Sequence, residues 1–216
     1  IELPGRDYIT IDNVVCMYAS DNGIAISGTN SNIEIVNSTF SYNGGDGVHV
    51  NGTTTDTNVT NCTANYNGYV FNDTASGPGD GISYHAGCTG VVENNTTYYN
   101  YKAGIDNIGA GMAVDILRNT VGYSPRNIWI GSLVDQSQTI AFNLIYVEND
   151  SAVDSFGLYI QSATGAATIA ANNTIIGVGE KTGNSFGIRR IRSDLTLKNN
   201  IFYNLETGQN LQNNGT

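Results

Sequence analysis

The sequence predicts an all-β protein, a single-stranded parallel β-helix (solenoid) of about eight coils with an internal asparagine ladder. Three observations indicate this fold: an asparagine recurs along the chain, a glycine follows each asparagine after a short segment, and apolar residues alternate around both. In solenoids each repeat buries its apolar face by stacking on its neighbours. Because one repeat runs throughout, residues 1–216 are expected to form a single domain, part of a longer chain.

The recurring asparagine marks one point of every coil. It stands at Asn13, Asn37, Asn61, Asn94, Asn119, Asn143, Asn172 and Asn199. We expect these side chains to point inward, where each amide can bond the next amide and the backbone of a turn. The residue two positions later, such as Val15, Thr39 or Ile201, is small or β-branched and is expected to point inward too.

The glycine that follows each asparagine marks the start of another recurring strand, the Gly-Ile-x-Ile strand. It stands at Gly23, Gly47, Gly81, Gly104, Gly157, Gly187 and Gly208, with Asn127 in its place in the fifth coil. Runs such as Ile24-Ala25-Ile26 follow it, and runs such as Ile33-Glu34-Ile35 precede the asparagine. Strict alternation over such short runs is typical of half-buried strands. Three strands per coil, each stacked on its equivalent, predict three parallel sheets.

Composition excludes several partners. The formal net charge is −10 and only 13% of residues are charged, so nucleic acid is not an expected partner. No apolar run is long enough to cross a membrane, so membrane insertion is not expected either. Cys16, Cys62 and Cys88 occupy different points of the repeat and are expected to be packing residues. The sequence leaves the oligomeric state open.

The asparagine column and the Gly-Ile-x-Ile strand resemble the right-handed parallel β-helix superfamily typified by pectate lyases and polysaccharide epimerases. The resemblance covers nearly the whole chain. It implies a right-handed helix, a polysaccharide or glycan partner, and an extracellular or cell-surface location. The sequence contains none of the catalytic signatures expected of pectate lyases, polygalacturonases or mannuronan epimerases, so the resemblance does not identify a reaction.

One outward column is the predicted binding face. The residues two past each glycine, or past Asn127, are Ala25, His49, Ser83, Asp106, Trp129, Tyr159 and Arg189. Coils lie about 4.8 Å apart, which is roughly one sugar of an extended chain per coil. Trp129 and Tyr159 offer flat surfaces to pyranose rings, and Arg189 can hold a carboxylate. We therefore expect Ser83, Trp129, Tyr159 and Arg189 to bind substrate, although the aromatic residues could also merely cover the sheet.

The same column contains candidates for acid–base catalysis. His85 lies two residues past Ser83 and diagonal to Asp106 in the next coil, so the two are expected to form an acid–base pair. His49 and Asp80 are further catalytic candidates. Asp46 and Asp80 precede the glycine in adjacent coils, and stacked carboxylates either raise one pKa or bind a cation. Calcium at Asp46 and Asp80 is the one cofactor that the sequence suggests, although Asp-Gly is also a common turn pair.

Three coils have long segments between asparagine and glycine. The segments from Gly68 to Asp80, Val147 to Phe156 and Gly177 to Phe186 lie at one edge and are expected to wall a groove beside the column. Phe156 and Phe186 are expected to stack there. The sequence thus favours a protein that binds or processes a polysaccharide along this face. If it is an enzyme, it is a lyase, epimerase or glycoside hydrolase, and the sequence does not separate these. The alternative is a non-catalytic surface solenoid for adhesion or structure.

Overall fold

A computed structural model describes residues 1–69, 78–85, 87–131, 136–149, 154–161, 167–180, 184–191 and 194–205, and the backbone of 211–213. These residues form 24 β-strands and no helix, in agreement with the short alternating runs of the sequence. Within these ranges, accordingly, no helix is long and apolar enough to cross a membrane.

The strands assemble into three parallel sheets. Sheet A contains β1 (Glu2–Pro4), β4 (Ile24–Ser27), β7 (Val48–Val50), β9 (Ile82–His85), β12 (Ala103–Ile108), β15 (Arg126–Ile130), β18 (Ser155–Ile160), β21 (Ser185–Arg190) and β24 (Leu211–Asn213). Sheet B contains β2 (Asp7–Asp12), β5 (Thr29–Val36), β8 (Thr53–Thr60), β10 (Thr89–Glu93), β13 (Ala113–Leu117), β16 (Gln138–Ala141), β19 (Ala167–Ala171) and β22 (Asp194–Lys198). Sheet C contains β3 (Val15–Met17), β6 (Thr39–Ser41), β11 (Thr96–Tyr98), β14 (Thr120–Gly122), β17 (Leu144–Glu148), β20 (Thr174–Val178) and β23 (Ile201–Tyr203). Isolated bridges at Thr63 join β6 to β11.

Consecutive strands enter sheets A, B and C in turn, and each pairs in parallel with its equivalent in the next coil. The predicted parallel β-helix is therefore confirmed. Inward side chains of the three sheets form one continuous apolar core, to which Ile26, Ile35 and Phe40 contribute in successive sheets. The three cysteines form no disulfide bonds with one another.

The asparagine ladder exists, but its predicted register was wrong in six of the eight coils. The ladder position is occupied by Ser38, Cys62, Asn95, Asn119, Asn143, Asn173 and Asn200. In it the Oδ1 of Asn119 accepts from the backbone N–H and the Nδ2 of Asn95, at 2.9 and 3.1 Å. The Oδ1 of Asn143 likewise accepts from the backbone N–H and the Nδ2 of Asn119, at 2.9 and 3.1 Å. Only Asn119 and Asn143 of the predicted column belong to it.

The other predicted ladder residues occupy the turn one position earlier. Asn13, Asn37, Asn61, Asn94, Asn172 and Asn199 are exposed and have φ of 50–56°. Asparagine tolerates this left-handed conformation better than most residues, which explains its recurrence there. Arg118 and Phe142 adopt the same conformation before Asn119 and Asn143. The predicted inward direction of the residue two positions later was wrong in the same coils: Val15, 69% exposed, and Ile201, 59% exposed, point outward on sheet C. It was right after Asn119 and Asn143, where Val121 and Ile145 are buried in the core.

A second ladder and a tyrosine stack occupy the turns between sheets C and A. Asn67 accepts hydrogen bonds from Asn43, and Asn100 accepts them from Asn67. The residue before each ladder position is a tyrosine with φ of 55–61°, namely Tyr18, Tyr42, Tyr66, Tyr99 and Tyr123. Their rings stack from coil to coil with centroids 4.6–5.6 Å apart. The stack therefore runs along the edge of the molecule between sheets C and A, next to the predicted binding face.

Candidate functional site

Strand pairing places the predicted column in register on the outer face of sheet A. The paired positions run Ala25, His49, Ser83, Asp106, Trp129, Tyr159 and Arg189. This register follows from the glycine, or Asn127 in β15, that lies two residues before each column residue, because side chains alternate strictly along a strand. Ser83 and Asp106 are nevertheless fully buried, while His49, Trp129 and Arg189 are partly exposed. Neighbouring side chains therefore cover much of this face.

The first group of polar residues surrounds the carboxylate of Asp46. Its Oδ2 lies 2.8 Å from Nδ1 of His49 and accepts a hydrogen bond from Oγ of Ser83 at 2.7 Å. Its Oδ1 accepts from the backbone N–H groups of Gly79 and Asp80, at 2.7 and 2.9 Å. Burial opposes ionisation of Asp46, but these hydrogen bonds outweigh it and lower its pKa to about 2.

An ionised Asp46 fixes the orientation of His49. A carboxylate can only accept, so Nδ1 of His49 is the donor in this contact. The remaining nitrogen, Nε2, is then free to accept or donate a proton, and the His49 side chain is 20% exposed. This orientation is the usual arrangement of a histidine that acts in acid–base catalysis.

The second group contains Asp80, Asp106 and Lys102. The ammonium of Lys102 lies 2.9 Å from Oδ2 of Asp80 and 3.1 Å from Oδ2 of Asp106. Both carboxyls are fully buried, and the Lys102 side chain above them is 11% exposed. The other oxygens, Oδ1 of Asp80 and Oδ1 of Asp106, are buried without a hydrogen-bond donor among the described residues. A proton shared by the two carboxyls would satisfy them.

The pKa values agree with a shared proton. Burial raises the pKa of Asp80 well above its usual value, and the negative charges of Asp106 and Asp46 raise it further against the attraction of Lys102. Burial also raises the pKa of Asp106, to about 6, although Lys102 and a hydrogen bond with Asp80 oppose this. The two carboxyls therefore titrate as a pair, in which burial and like-charge repulsion favour a shared proton and Lys102 balances the negative charge that remains.

His85 does not pair with Asp106 in the way that its diagonal position suggested. Its ring packs edge-on against His49, with centroids 4.7 Å apart, and its Nε2 is buried without a partner in the described chain. Burial, followed by the proximity of His49, lowers the pKa of His85 to about 4. His85 is thus neutral at physiological pH, and the histidine that contacts a carboxylate in the described residues is His49.

The other end of the column is an aromatic cluster outside the main core. Phe156, Tyr159 and Phe186 are each at most 7% exposed and pack with Trp129. Phe156 and Phe186 stack at 5.2 Å, as predicted. Gln161 links the polar atoms of this cluster, since it accepts from Nε1 of Trp129 at 3.0 Å and donates to the hydroxyl of Tyr159 at 2.9 Å.

Three cations lie over these rings. Lys102 Nζ is 5.0 Å and Arg126 Cζ is 4.3 Å from the Trp129 ring centre. Arg126 and Arg189 lie 5.4 and 5.2 Å from the Tyr159 ring centre. Sequence reasoning missed Lys102, which lies just before β12, and Arg126, which is the first residue of β15, because neither belongs to the column. The available signal was the scarcity of basic residues, since the chain contains only nine.

Two features of the predicted site stay predictions, namely the groove walled by the three long segments and the calcium site. The centres of the three long segments, residues 70–77, 150–153 and 181–183, and Gly208 lie outside the described residues. Calcium at Asp46 and Asp80 also stays a prediction. No group of three or more His, Cys, Asp or Glu side chains in the described ranges is arranged to hold a metal, and donors already occupy Asp46.

Comparison with known sequences decides the family. The family described as the right-handed beta helix region matches residues 1–121, more than half of the chain. The chain belongs to the right-handed β-helix family. The resemblance inferred from the asparagine column and the Gly-Ile-x-Ile strand is thereby confirmed. No curated protein sequence matches this right-handed β-helix.

Two solved structures are similar to it in fold. One is PfbA, a surface adhesin of Streptococcus pneumoniae, with 16% identity and a TM-score of 0.48, covering 98% of this chain and 63% of the adhesin chain. The other is the A-module of the Azotobacter vinelandii mannuronan C-5 epimerase AlgE4, with 14% identity and a TM-score of 0.41, covering 98% and 78% of the two chains. This β-helix therefore spans less than two thirds of the adhesin chain.

Proposed function

We propose that this β-helix binds a polysaccharide along the outer face of sheet A and performs acid–base chemistry on one of its sugars. The observation that carries the proposal is the column itself. In consecutive coils it joins proton-transferring groups around His49 and Asp106 to aromatic surfaces at Trp129 and Tyr159. With coils about 4.8 Å apart, each sugar of an extended chain would meet a different side chain. We further propose an extracellular or cell-surface location, where such polymers occur.

In the proposed reaction His49 accepts or donates the proton at a sugar carbon or oxygen. Its Nε2 is available because Nδ1 is engaged by Asp46, whose negative charge stabilises the imidazolium that forms. The Asp80–Asp106 pair is the second candidate for proton transfer, because burial and like-charge repulsion favour a proton shared between the two carboxyls. Lys102 covers both carboxyls, so a sugar can reach them only when Lys102 moves aside.

Lyases, epimerases and glycoside hydrolases all need such a pair of proton-transferring groups, and the proposal covers the three classes. A second candidate function is a non-catalytic adhesion or structural solenoid. The complete burial of Asp80 and Asp106 under Lys102 favours it, because a stabilising ion-pair network would have this arrangement too. Incubating a polysaccharide panel with the protein and with His49→Asn separates the two functions. Loss of new unsaturated, epimerised or shortened products in the variant supports an enzyme, and no product from the parent protein supports adhesion.

Binding itself is tested at Trp129, the sole tryptophan of the chain. A polysaccharide lying on the column covers this ring, so tryptophan emission should change on titration with oligosaccharides. Affinity should rise with length up to about four or five sugars, one for each coil of the face. Trp129→Ala should weaken binding by about 1–3 kcal/mol without loss of the β-sheet circular dichroism signal.

Phe142→Ala is the matched control, because Phe142 is an exposed aromatic residue of the turn between sheets B and C. It should bind like the parent protein. If no oligosaccharide changes the emission while iodide quenches Trp129 freely, the face is not a polysaccharide site.

A further inference from the structure

The outer face of sheet A is divided by charge. Its first half holds the four carboxyls of Glu2, Asp46, Asp80 and Asp106, and Lys102 is the one lysine or arginine there among the described residues. Its second half consists of β15, β18 and β21, whose charged residues are Arg126, Arg189 and Arg190. These three strands contain no Asp or Glu, although the chain has a net charge of −10. The second half of this face is therefore basic, although the molecule as a whole is acidic.

The guanidinium groups of Arg126 and Arg189 rest on aromatic rings and have no anionic partner among the described residues. Both lie over aromatic rings, and Tyr159 is shared between them. Neither forms an ion pair within the described residues, whereas Lys102 and Arg118 do. Nε of Arg189 is buried with no hydrogen-bond partner in the described chain. A guanidinium that rests on a ring keeps its N–H edge free, and that edge fits a carboxylate or a sulfate in a bidentate manner.

We infer that the ligand of this face is a heteropolysaccharide, in which an anionic sugar at Arg126, Tyr159 and Arg189 is joined to uncharged sugars at His49 and Asp106. This inference rests on the proposed function. A chain of uronic acids alone would bring a carboxylate against the acidic half, where like charges repel. A wholly neutral chain would leave the two guanidiniums without an anion. With about one sugar per coil, the anionic and uncharged positions are two or three sugars apart.

The experiment compares oligosaccharides of equal length in the tryptophan titration. The first is an alternating oligosaccharide of uronic acid and neutral sugar, and the second is the same compound with its carboxyls reduced to alcohols. The third is an oligomer of uronic acid alone, and the fourth carries sulfate esters in place of the carboxylates of the first. We expect the first or the fourth to bind at least about tenfold more tightly than the second and third, as the loss of one charge-assisted contact implies.

Arginine variants locate the anion. Arg126→Gln and Arg189→Gln should each bring the affinity for the mixed oligosaccharide close to that for its carboxyl-reduced form. Arg6→Gln removes the same charge from an exposed residue five sheet A strands away, and it should leave the preference unchanged. A thermal melt shows that each variant is folded, and Arg126→Lys keeps the charge if the glutamine variant does not fold.

The outcomes separate the inference from the proposed function. If the uronic acid oligomer or the carboxyl-reduced form binds as tightly as the mixed oligosaccharides, or if Arg6→Gln weakens the preference as much as Arg126→Gln, the inference is wrong and polysaccharide binding stands. If none of the four compounds changes the emission, the proposed function itself is wrong.

Discussion

Asn94 and Asn95 are neighbours in the sequence but have different roles in the structure. Asn94 is exposed and adopts a left-handed conformation with φ of 54°. Asn95 is buried, donates from Nδ2 to the carbonyl of Val59, and accepts from the backbone N–H of Cys62. The first asparagine is there for its backbone conformation, and the second for its amide.

This difference predicts opposite responses to substitution. Asn95→Ala should reduce the free energy of unfolding by about 1–3 kcal/mol, because buried backbone groups lose their partner. Asn119→Leu, in the same ladder, should have a similar effect. Asn94→Gly is the matched control and should be nearly neutral, since glycine adopts a positive φ without strain. Urea denaturation measures all three, and equal losses at positions 94 and 95 would contradict this assignment.

The lowered pKa of His85 predicts that the stability of the folded protein depends on pH. Its pKa lies at about 4 in the folded protein against 6.5 for a free histidine. Between these values the unfolded chain binds more protons than the folded one, so stability falls as the pH falls from about 6.5 to 4. Asp106, whose pKa is raised to about 6, acts in the opposite sense, because its contribution is lost as the pH rises through that value.

The variant His85→Gln should therefore lose less stability than the parent protein on acidification through this window. Melting temperatures at pH 7, 6, 5 and 4 measure the difference, and Asp106→Asn serves as the comparison with the opposite sign. Parallel curves for His85→Gln and the parent protein would show that His85 is not the group responsible.

At the scale of elements, the tyrosine stack combines an unfavourable backbone conformation with favourable ring stacking. A left-handed conformation costs a non-glycine residue about 1–2 kcal/mol, whereas each stacked pair contributes about 0.5–1.5 kcal/mol. Tyr66 stacks on Tyr42 at 4.9 Å and on Tyr99 at 5.0 Å. Its ring therefore offsets the strain of its own backbone.

Two substitutions of Tyr66 separate the cost of the left-handed backbone from the gain of ring stacking. Tyr66→Ala loses the stacking and keeps the strain, so it should destabilise the protein by about 1–3 kcal/mol. Tyr66→Asn also loses the stacking but relieves part of the strain, so it should destabilise less. Chemical denaturation gives both values. A larger loss for asparagine than for alanine would mean that backbone strain is not significant at this turn.

The structure also shows how far the sequence could predict these elements. The register of the sheet A column was predictable, because a glycine, or Asn127 in β15, lies two residues before each column residue and side chains alternate along the strand. The ladder register was not, because asparagine suits both the exposed left-handed turn, as at Asn37, and the buried amide position, as at Asn173. Lys102 and Arg126 could not be placed, since their contacts depend on turns whose geometry the alternation does not determine.

For the whole molecule, the solenoid repeat predicts that one coil can be removed. Residues 120–143 are one such coil, because Thr120 pairs with Leu144 and Asn119 with Asn143 in successive coils. A chain lacking these residues should still fold as a β-helix, since neighbouring coils present equivalent faces. Circular dichroism should show an unchanged β signal per residue and a lower melting temperature. Loss of the cooperative melt would indicate that the coils are not interchangeable units.

The parallel sheets also make the molecule mechanically anisotropic. The backbone hydrogen bonds between coils, such as those from Val48 to Gly81 and from Gly23 to Asp46, join one coil to the next along the axis. Tension along that axis acts on every interface between coils with the same force, so the weakest interface breaks first and coils should separate successively at a low, repeating force. Tension across the axis meets strands that lie side by side and share the load. This β-helix should therefore resist a force across its axis far better than a force along it.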